Sequence, residues 1–347
     1  MKLIIQGTAL GELPHYISAA RAIHAPTILE LMELLGDGAR AIDPVGLRNY
    51  FERRPDGKRT CFLGAEFLPA GTDLYGDETN LSCTRRALPN PSGALFPLLE
   101  TVVKELLAQT TRIAVALSGG LDSALVLALA QRATQHSIPI ITLETGLPGY
   151  SELEQTMETA RLLGANTMEV IKVRDTDLVS SLPESIAACE TPLFNLHPVT
   201  RFLLARSAAE RGFDAILTGD GADQVFAGSD PRNYLPIVGA MVRSTGLKCL
   251  SPFFDERVMG WAQHHGTNPD KTGLREAATE ILPAELVWRK KTPRFTPDFD
   301  LSRYRNPELE HRLAPRLGLT PQKSAAGPQQ TLWATTAILL RHMGGTY

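Results

Sequence analysis

From Leu95 to Thr218 the chain alternates helix-length and strand-length apolar segments, and no other feature limits the possible folds as much. The pattern predicts a helix over Leu95 to Leu107, a strand over Ile113 to Leu117 and a helix from Leu121 to Gln135. A strand over Ile138 to Leu143, a helix over Glu152 to Leu163 and a strand over Met168 to Val173 follow, then a helix over Pro198 to Arg211 and a strand over Ala215 to Thr218. Strands joined through helices need crossover connections, so the expected class is α/β, a parallel sheet with helices on both faces. In such sheets ligands bind beyond the carboxyl ends of strands, which directs attention to the loops after Leu117, Leu143 and Thr218.

The stretch before this alternation is different. Ile28 to Leu35 reads as a short helix and Thr60 to Leu68 as a strand, and Arg86 to Gly93, rich in Pro, Asn, Ser and Gly, reads as a linker. This predicts a small α/β unit over 1–90 and a larger domain over 91–347. Hydrophobic residues at 43% against 21% charged exclude extended disorder. A formal charge of −3 lacks the basic excess of nucleic-acid binders, so no nucleic acid partner is expected. Four cysteines, at 61, 83, 189 and 249, form neither a disulfide framework nor a CxxC pair. The amino terminus is too weakly apolar for a signal peptide, and stretches such as Ala124 to Ala130 are too short to span a bilayer. The expectation is a cytoplasmic protein without membrane association.

The strand at Ile113 to Leu117 runs into Ser118-Gly-Gly-Leu-Asp-Ser123 and then an apolar helix. Paired glycines at a strand-to-helix turn let the backbone approach a ligand closely, and the N–H groups and dipole of a helix start favour an anion. Ser118 and Ser123 add hydroxyl donors. A Walker A loop requires GxxxxGK[ST], and no lysine occurs here. The SGGxDS pattern is instead similar to the phosphate loop of the pyrophosphate-loop ATP hydrolases. After the strand at Ala215 to Thr218 comes Gly219-Asp-Gly-Ala-Asp-Gln224. A carboxylate from each loop, Asp122 and Asp223, suits Mg²⁺, which takes one or two carboxylates and fills its other positions with phosphate and water.

These segments resemble the synthetase domain of the asparagine synthetase family. Ser118 to Ser123 resembles its pyrophosphate loop and Gly219 to Gln224 its GEGADE loop. Leu250-Ser-Pro-Phe-Phe-Asp255 is similar to its RxPFLD segment, and Leu274-Arg-Glu, Leu282-Pro and Trp288-Arg-Lys-Lys291 to its carboxyl-terminal lysine segment. The resemblance implies an adenine nucleotide α-hydrolase-like sheet and an ATP-dependent, AMP-forming ligase that adenylates a carboxylate and passes the acyl group to an amine or ammonia. By position, Leu117, Thr145, Thr218 and Gly219 would hold adenine and ribose, Ser118, Gly119, Gly120 and Ser123 the pyrophosphate, and Asp122 and Asp223 the metal. Lys291 would neutralise charge on the α-phosphate, with Lys290 the alternative one position away. Asp220 would take the place of the glutamate that orients or deprotonates the amine.

Several departures bear on the substrate. Residues Ile28 to Leu74 resemble only the second half of the family's glutaminase domain, and the catalytic cysteine expected directly after the initiating Met is Lys2 here. The 1–90 unit therefore reads as a glutaminase-like remnant and the ligase as glutamine-independent, in specialised metabolism. Asp220 is one methylene shorter than the usual glutamate. β-Lactam synthetases pair a tyrosine, upstream of the GEGADE loop, with that glutamate, and this chain has no tyrosine between Ser151 and Asn233. The amine can lie on a second molecule or within the same substrate, a small molecule or a peptide; Glu190, Asn195 and Arg201 are candidates for contacting it. A different pyrophosphate-loop enzyme and a nucleotide-binding partner protein that has lost catalysis are the alternatives.

Overall fold

The structure, a computed structural model, describes residues 1–36, 40–77, 79–134, 137–147, 151–165, 167–290, 298–319 and 327–344. Its strands are β1 (Lys2–Gln6), β2 (Tyr16–Ser18), β3 (Ile23–Ala25), β4 (Glu66–Phe67), β5 (Thr72–Gly76), β6 (Leu81–Arg85), β7 (Ile113–Ala116), β8 (Ile140–Glu144), β9 (Glu169–Lys172), β10 (Ala215–Leu217) and β11 (Lys248–Leu250). β7 to β11 form a parallel sheet in the order β11-β10-β7-β8-β9. The chain leaves β7 towards β8 and β9, then returns to the other side of β7 to add β10 and β11. The direction of winding thus reverses between β7 and β10, and a crevice opens beyond their carboxyl ends.

Both faces of this sheet are covered, as the continuous apolar runs of its strands require. Ile113, Val115, Ala215 and Leu217 pack into one core, with the helices Leu95–Leu107, Leu121–Thr134 and Glu256–His265. Ala114, Ala116, Ile141 and Ile216 face a second core, with the helices Leu182–Cys189, His197–Glu210, Leu235–Ser244 and Pro328–Met343. The predicted α/β parallel sheet is thus the observed one, with element ends shifted by one or two residues. Among the described residues no helix is long and apolar enough to cross a membrane.

The amino-terminal part contributes two three-stranded antiparallel sheets, β1-β5-β6 and β3-β2-β4, and two capped helices. Thr27 accepts from the Glu30 amide to start Ile28–Leu35, and Asp43 accepts from Val45 and Gly46 to start Pro44–Phe51. The predicted strand over Thr60 to Leu68 shrinks to Glu66–Phe67. The Thr60 hydroxyl accepts from the Phe62 amide at 3.1 Å and donates to the Ala65 carbonyl at 2.8 Å, folding the segment on itself, and Gly64 turns it with φ +80°.

Apart from a small cluster of Ile17, Leu68 and Leu74, this part shares its core with the rest. Tyr16, Leu31, Met32, Leu47 and Phe62 belong to the core that holds Trp333, and the Phe51 and Trp333 rings lie 4.6 Å apart. Glu190 does not reach the crevice, because its carboxylate accepts the amides of Ile28 and Leu29 at 2.5 and 2.9 Å. The Arg86 to Gly93 segment is irregular, as a linker would be, but it is fastened. Arg86 pairs with Asp73 and Glu256, and Trp261 donates to the Gly93 carbonyl at 3.0 Å.

Candidate functional site

The loop after β7 and the loop after β10 touch directly. A Cβ on Gly219 would lie 2.8 Å from the Ser123 nitrogen and 2.9 Å from the Asp122 Cβ, so only glycine lets the second loop come this close to the first. Gly119 carries φ +71°, and a Cβ there would meet the Thr156 amide at 2.8 Å. The loop is drawn inward by its serines: the Ser118 amide donates to Ser123 Oγ at 3.1 Å, and the two hydroxyls are 3.1 Å apart. A helix of fourteen residues, Leu121–Thr134, starts at this turn. Its N-terminal dipole faces the crevice.

A cavity of about 600 Å³ occupies the crevice and is lined by Ser118, Asp122, Ser123, Gly219, Asp220 and Asp223, among others. A smaller one of about 70 Å³, lined by Leu117, Leu143 and Thr145, shares Ser118, Glu152, His197 and Arg201 with it. Leu117, Ser118, Gly120, Asp122, Ser123, Thr145, Gly219, Asp220 and Asp223 therefore lie along one continuous space. Gly119 supports that space from behind, its carbonyl accepting from Thr159 and Arg289. Thr218 is fully buried and lines neither cavity; its hydroxyl accepts the Asp220 amide at 3.2 Å. Lys291 lies outside the described residues. Arg289, two positions earlier, is anchored to Glu158, Thr159 and the Gly119 carbonyl, and Lys290 lines the large cavity.

Three features of the site were not read from sequence. Lys271 extends its ammonium to 2.6 and 2.7 Å from the oxygens of Asp122 and 2.9 Å from Asp223 Oδ1. Burial works to lower the lysine's pKa, but the two carboxylates outweigh it and hold the group above its ordinary value. Arg201, named only as a general candidate, pairs with Asp220 Oδ1 at 2.9 Å. Its guanidinium stays firmly charged, since Asp220 and Tyr234 overcome the opposing effect of burial. Tyr234 lines the cavity from downstream of the Gly219 loop and stacks on His197 at 5.8 Å. A tyrosine thus lines the same cavity as Asp220, although none occurs between Ser151 and the loop. Asn195, by contrast, is spent locally, its side chain accepting the His197 amide at 3.0 Å.

The fit of a metal can be judged from these contacts. Asp122 and Asp223 converge within 3 Å of a single nitrogen, so the pair defines one cation position. Among the described residues there is no group of three or more His, Cys, Asp or Glu that could hold a metal. Two carboxylates are nonetheless enough for magnesium, which draws its other ligands from phosphate and water. The donor chemistry fits Mg²⁺ arriving with a nucleotide.

Residues 94–245 match the family model described as asparagine synthase. The chain is 28% identical over 257 residues to a carboxyethyl-arginine β-lactam synthase of Streptomyces clavuligerus, covering 65% of this chain and 48% of that protein. It is 23% identical over 243 residues to the glutamine-hydrolysing asparagine synthetase B of Escherichia coli, covering 56% of this chain and 42% of that protein. Against the Arabidopsis thaliana glutamine-hydrolysing asparagine synthetase 3 it is 31% identical over 138 residues, 37% of this chain and 24% of that protein. The chain spans between a fifth and a half of the length of the curated relatives it matches.

Proposed function

We propose that the protein is an AMP-forming ligase joining a carboxylate to an amine without glutamine, a reading supported by the match of residues 94–245 to the asparagine synthase family model. The observation that carries this reading is the meeting of two loops in one cavity: a phosphate-type loop from β7 and an acidic loop from β10, the latter holding a buried carboxylate at Asp220.

In the first step a substrate carboxylate oxygen attacks the α-phosphorus of ATP, forming the acyl-adenylate as the bond to pyrophosphate breaks. Ser118, Gly119, Gly120 and Ser123 cradle the leaving pyrophosphate, and Leu117, Thr145 and Gly219 border the nucleoside. Thr218 serves from below by fixing the Asp220 amide. Asp122 and Asp223 would hold Mg²⁺, which would supply charge neutralisation to the polyphosphate. Lys291 stabilises the negative charge that develops at the α-phosphate and, in the second step, at the acyl carbon. There the amine attacks, AMP departs, and Asp220 accepts the amine proton.

Glutamine independence is supported by the cysteines. Burial raises the thiols of Cys61, Cys189 and Cys249, the last two to about 12, and Cys83 is also raised. A nucleophilic thiol needs the opposite shift. The amine is therefore taken from solution or from the substrate itself. Tyr234 beside Arg201 and Asp220 favours the second reading, intramolecular closure, for a substrate that carries both groups.

The deciding experiment is pyrophosphate release from ATP and Mg²⁺, screened over small-molecule and peptide carboxylates with and without amines. AMP and pyrophosphate as products, with no glutamate formed from glutamine, support the assignment; ADP and phosphate refute it. A product lighter than the carboxylate substrate by one water identifies intramolecular closure.

A further inference from the structure

Lys271 stands where the two loops converge, and the amide-forming steps described above do not use it. Its ammonium spans both oxygens of Asp122 and one of Asp223 at 2.6 to 2.9 Å, and its side chain is only 9% exposed. The residue adopts φ 53°, a left-handed conformation that a lysine seldom enters and that persists where surrounding contacts impose it. It also opens the helix Thr272–Ala278, where a cation opposes the helix dipole. Two locally unfavourable choices converge on one result: an ammonium fixed between carboxylates from separate loops.

A magnesium ion takes carboxylate oxygens at about 2.0–2.1 Å in near-octahedral order. Metal and ammonium therefore compete for the same face between Asp122 and Asp223. We infer that Lys271 is the resident cation of this position, that it keeps the aspartates closed to free metal, and that it yields them only to a metal arriving with a nucleoside triphosphate. Charge explains the exchange. With the ammonium between them, the two carboxylates keep one net negative charge; a divalent cation neutralises both, and the released ammonium finds new partners in the polyphosphate oxygens. No buried charge is left unpaired before or after the exchange. The metal then enters the site as part of a nucleotide complex, and free Mg²⁺ does not prime the enzyme.

The inference rests on reading the cavity as an ATP site, and the test separates the two. Mn²⁺ replaces Mg²⁺ as a paramagnetic probe, and the non-cleavable α,β-methylene-ATP replaces ATP, both with the full chain. Wild type with the nucleotide is expected to bind one Mn²⁺ per chain, and wild type alone at least about tenfold more weakly. Lys271→Met should raise Mn²⁺ affinity without nucleotide by about tenfold or more, and adding Asp122→Asn should abolish the gain. Equal Mn²⁺ affinity of wild type and Lys271→Met in the absence of nucleotide overturns the inference. Should Lys271→Met not fold, wild type decides by thermal unfolding. A rise in Tm with Mg²⁺ and α,β-methylene-ATP together but not with Mg²⁺ alone supports the inference, and an equal rise with Mg²⁺ alone overturns it. Failure to bind the nucleotide under any metal condition overturns the ATP reading along with it.

Discussion

Arg201 donates to Oδ1 of Asp220 at 2.9 Å, and Oδ2 of the same carboxylate is buried with no hydrogen-bond partner among the described residues. A carboxylate tied at one oxygen and open at the other keeps its orientation and still has a lone pair to offer the cavity. An unsatisfied buried acceptor costs on the order of 1–3 kcal/mol, so an incoming N–H donor recovers that cost as it binds. On the proposed reading, the shorter reach of aspartate is compensated by holding it still.

Arg201→Met should destabilise the fold by about 3 kcal/mol, because it strands the Asp220 charge. The double variant Arg201→Met/Asp220→Asn should recover most of the loss. Urea unfolding of the three proteins measures this, and additive losses would show that the two side chains do not act as a pair.

Asp220→Asn should reduce amide formation by about 100-fold or more while leaving carboxylate-dependent exchange of pyrophosphate into ATP near wild type. The amide keeps the shape but cannot take the amine proton. Parallel loss of both activities would place Asp220 in the adenylation step instead.

Lys291→Ala should lower turnover by about 100- to 1000-fold with little change in nucleotide affinity, since its charge is needed where negative charge develops. Lys290→Ala is the control. Lys290 lines the cavity, and the neighbouring Arg289 is anchored to the Gly119 carbonyl. Severe loss in Lys290→Ala with near-normal Lys291→Ala would move the role by one residue.

Gly219→Ala forces a methyl against the Ser123 nitrogen and the Asp122 Cβ, both within 2.9 Å. Overpacking of this kind costs about 1–3 kcal/mol. Isothermal titration should show nucleotide binding weakened far more than the drop in stability implies, because the displaced residues line the cavity. Unaltered binding would mean that the loops need not touch.

Stability should also depend on pH through His15. Burial, aided by nearby His24 and Arg243, lowers its pKa from an ordinary 6.5 to about 4. Between those values the unfolded chain binds more protons, so the contribution is complete above the higher value and lost as pH falls towards the lower. The ring is partly exposed, which limits the loss to about 1–2 kcal/mol. The urea midpoint of wild type should drop more than that of His15→Gln between about pH 7 and about pH 5. Glu12 and Glu190, raised by burial, act in the opposite sense, but they are common to both proteins. Equal drops would exonerate His15.

The turn at Ser118 to Ser123 was legible because six contiguous residues of distinctive type stand between an apolar strand and an apolar helix. Lys271 was not, since it meets Asp122 from 149 positions away and is a single charged residue in a polar stretch. Its one local signal is a lysine opening a helix, directly after Asn268-Pro269-Asp270, against the dipole. The sheet was readable wherever strands were long and wholly apolar. β11 escaped notice because it has three residues, one of them exposed. The Thr60 turn was missed for another reason: Cys61-Phe62-Leu63 is apolar enough for a strand, and only the hydrogen bonds of the Thr60 hydroxyl decide otherwise.

The register that aligns Ala215 with Ile113 and Leu217 with Val115 joins stretches far apart in the chain, and the crevice exists only once that pairing is made. Contacts of such long sequence separation form slowly, after the entropy of closing the intervening loop has been overcome. Nascent chains that have built their local helices still lack any place for a nucleotide. Ligand-induced protection from proteolysis should therefore emerge in a refolding time course only as the last step, making nucleotide capture a clock for completed assembly and no help in starting it.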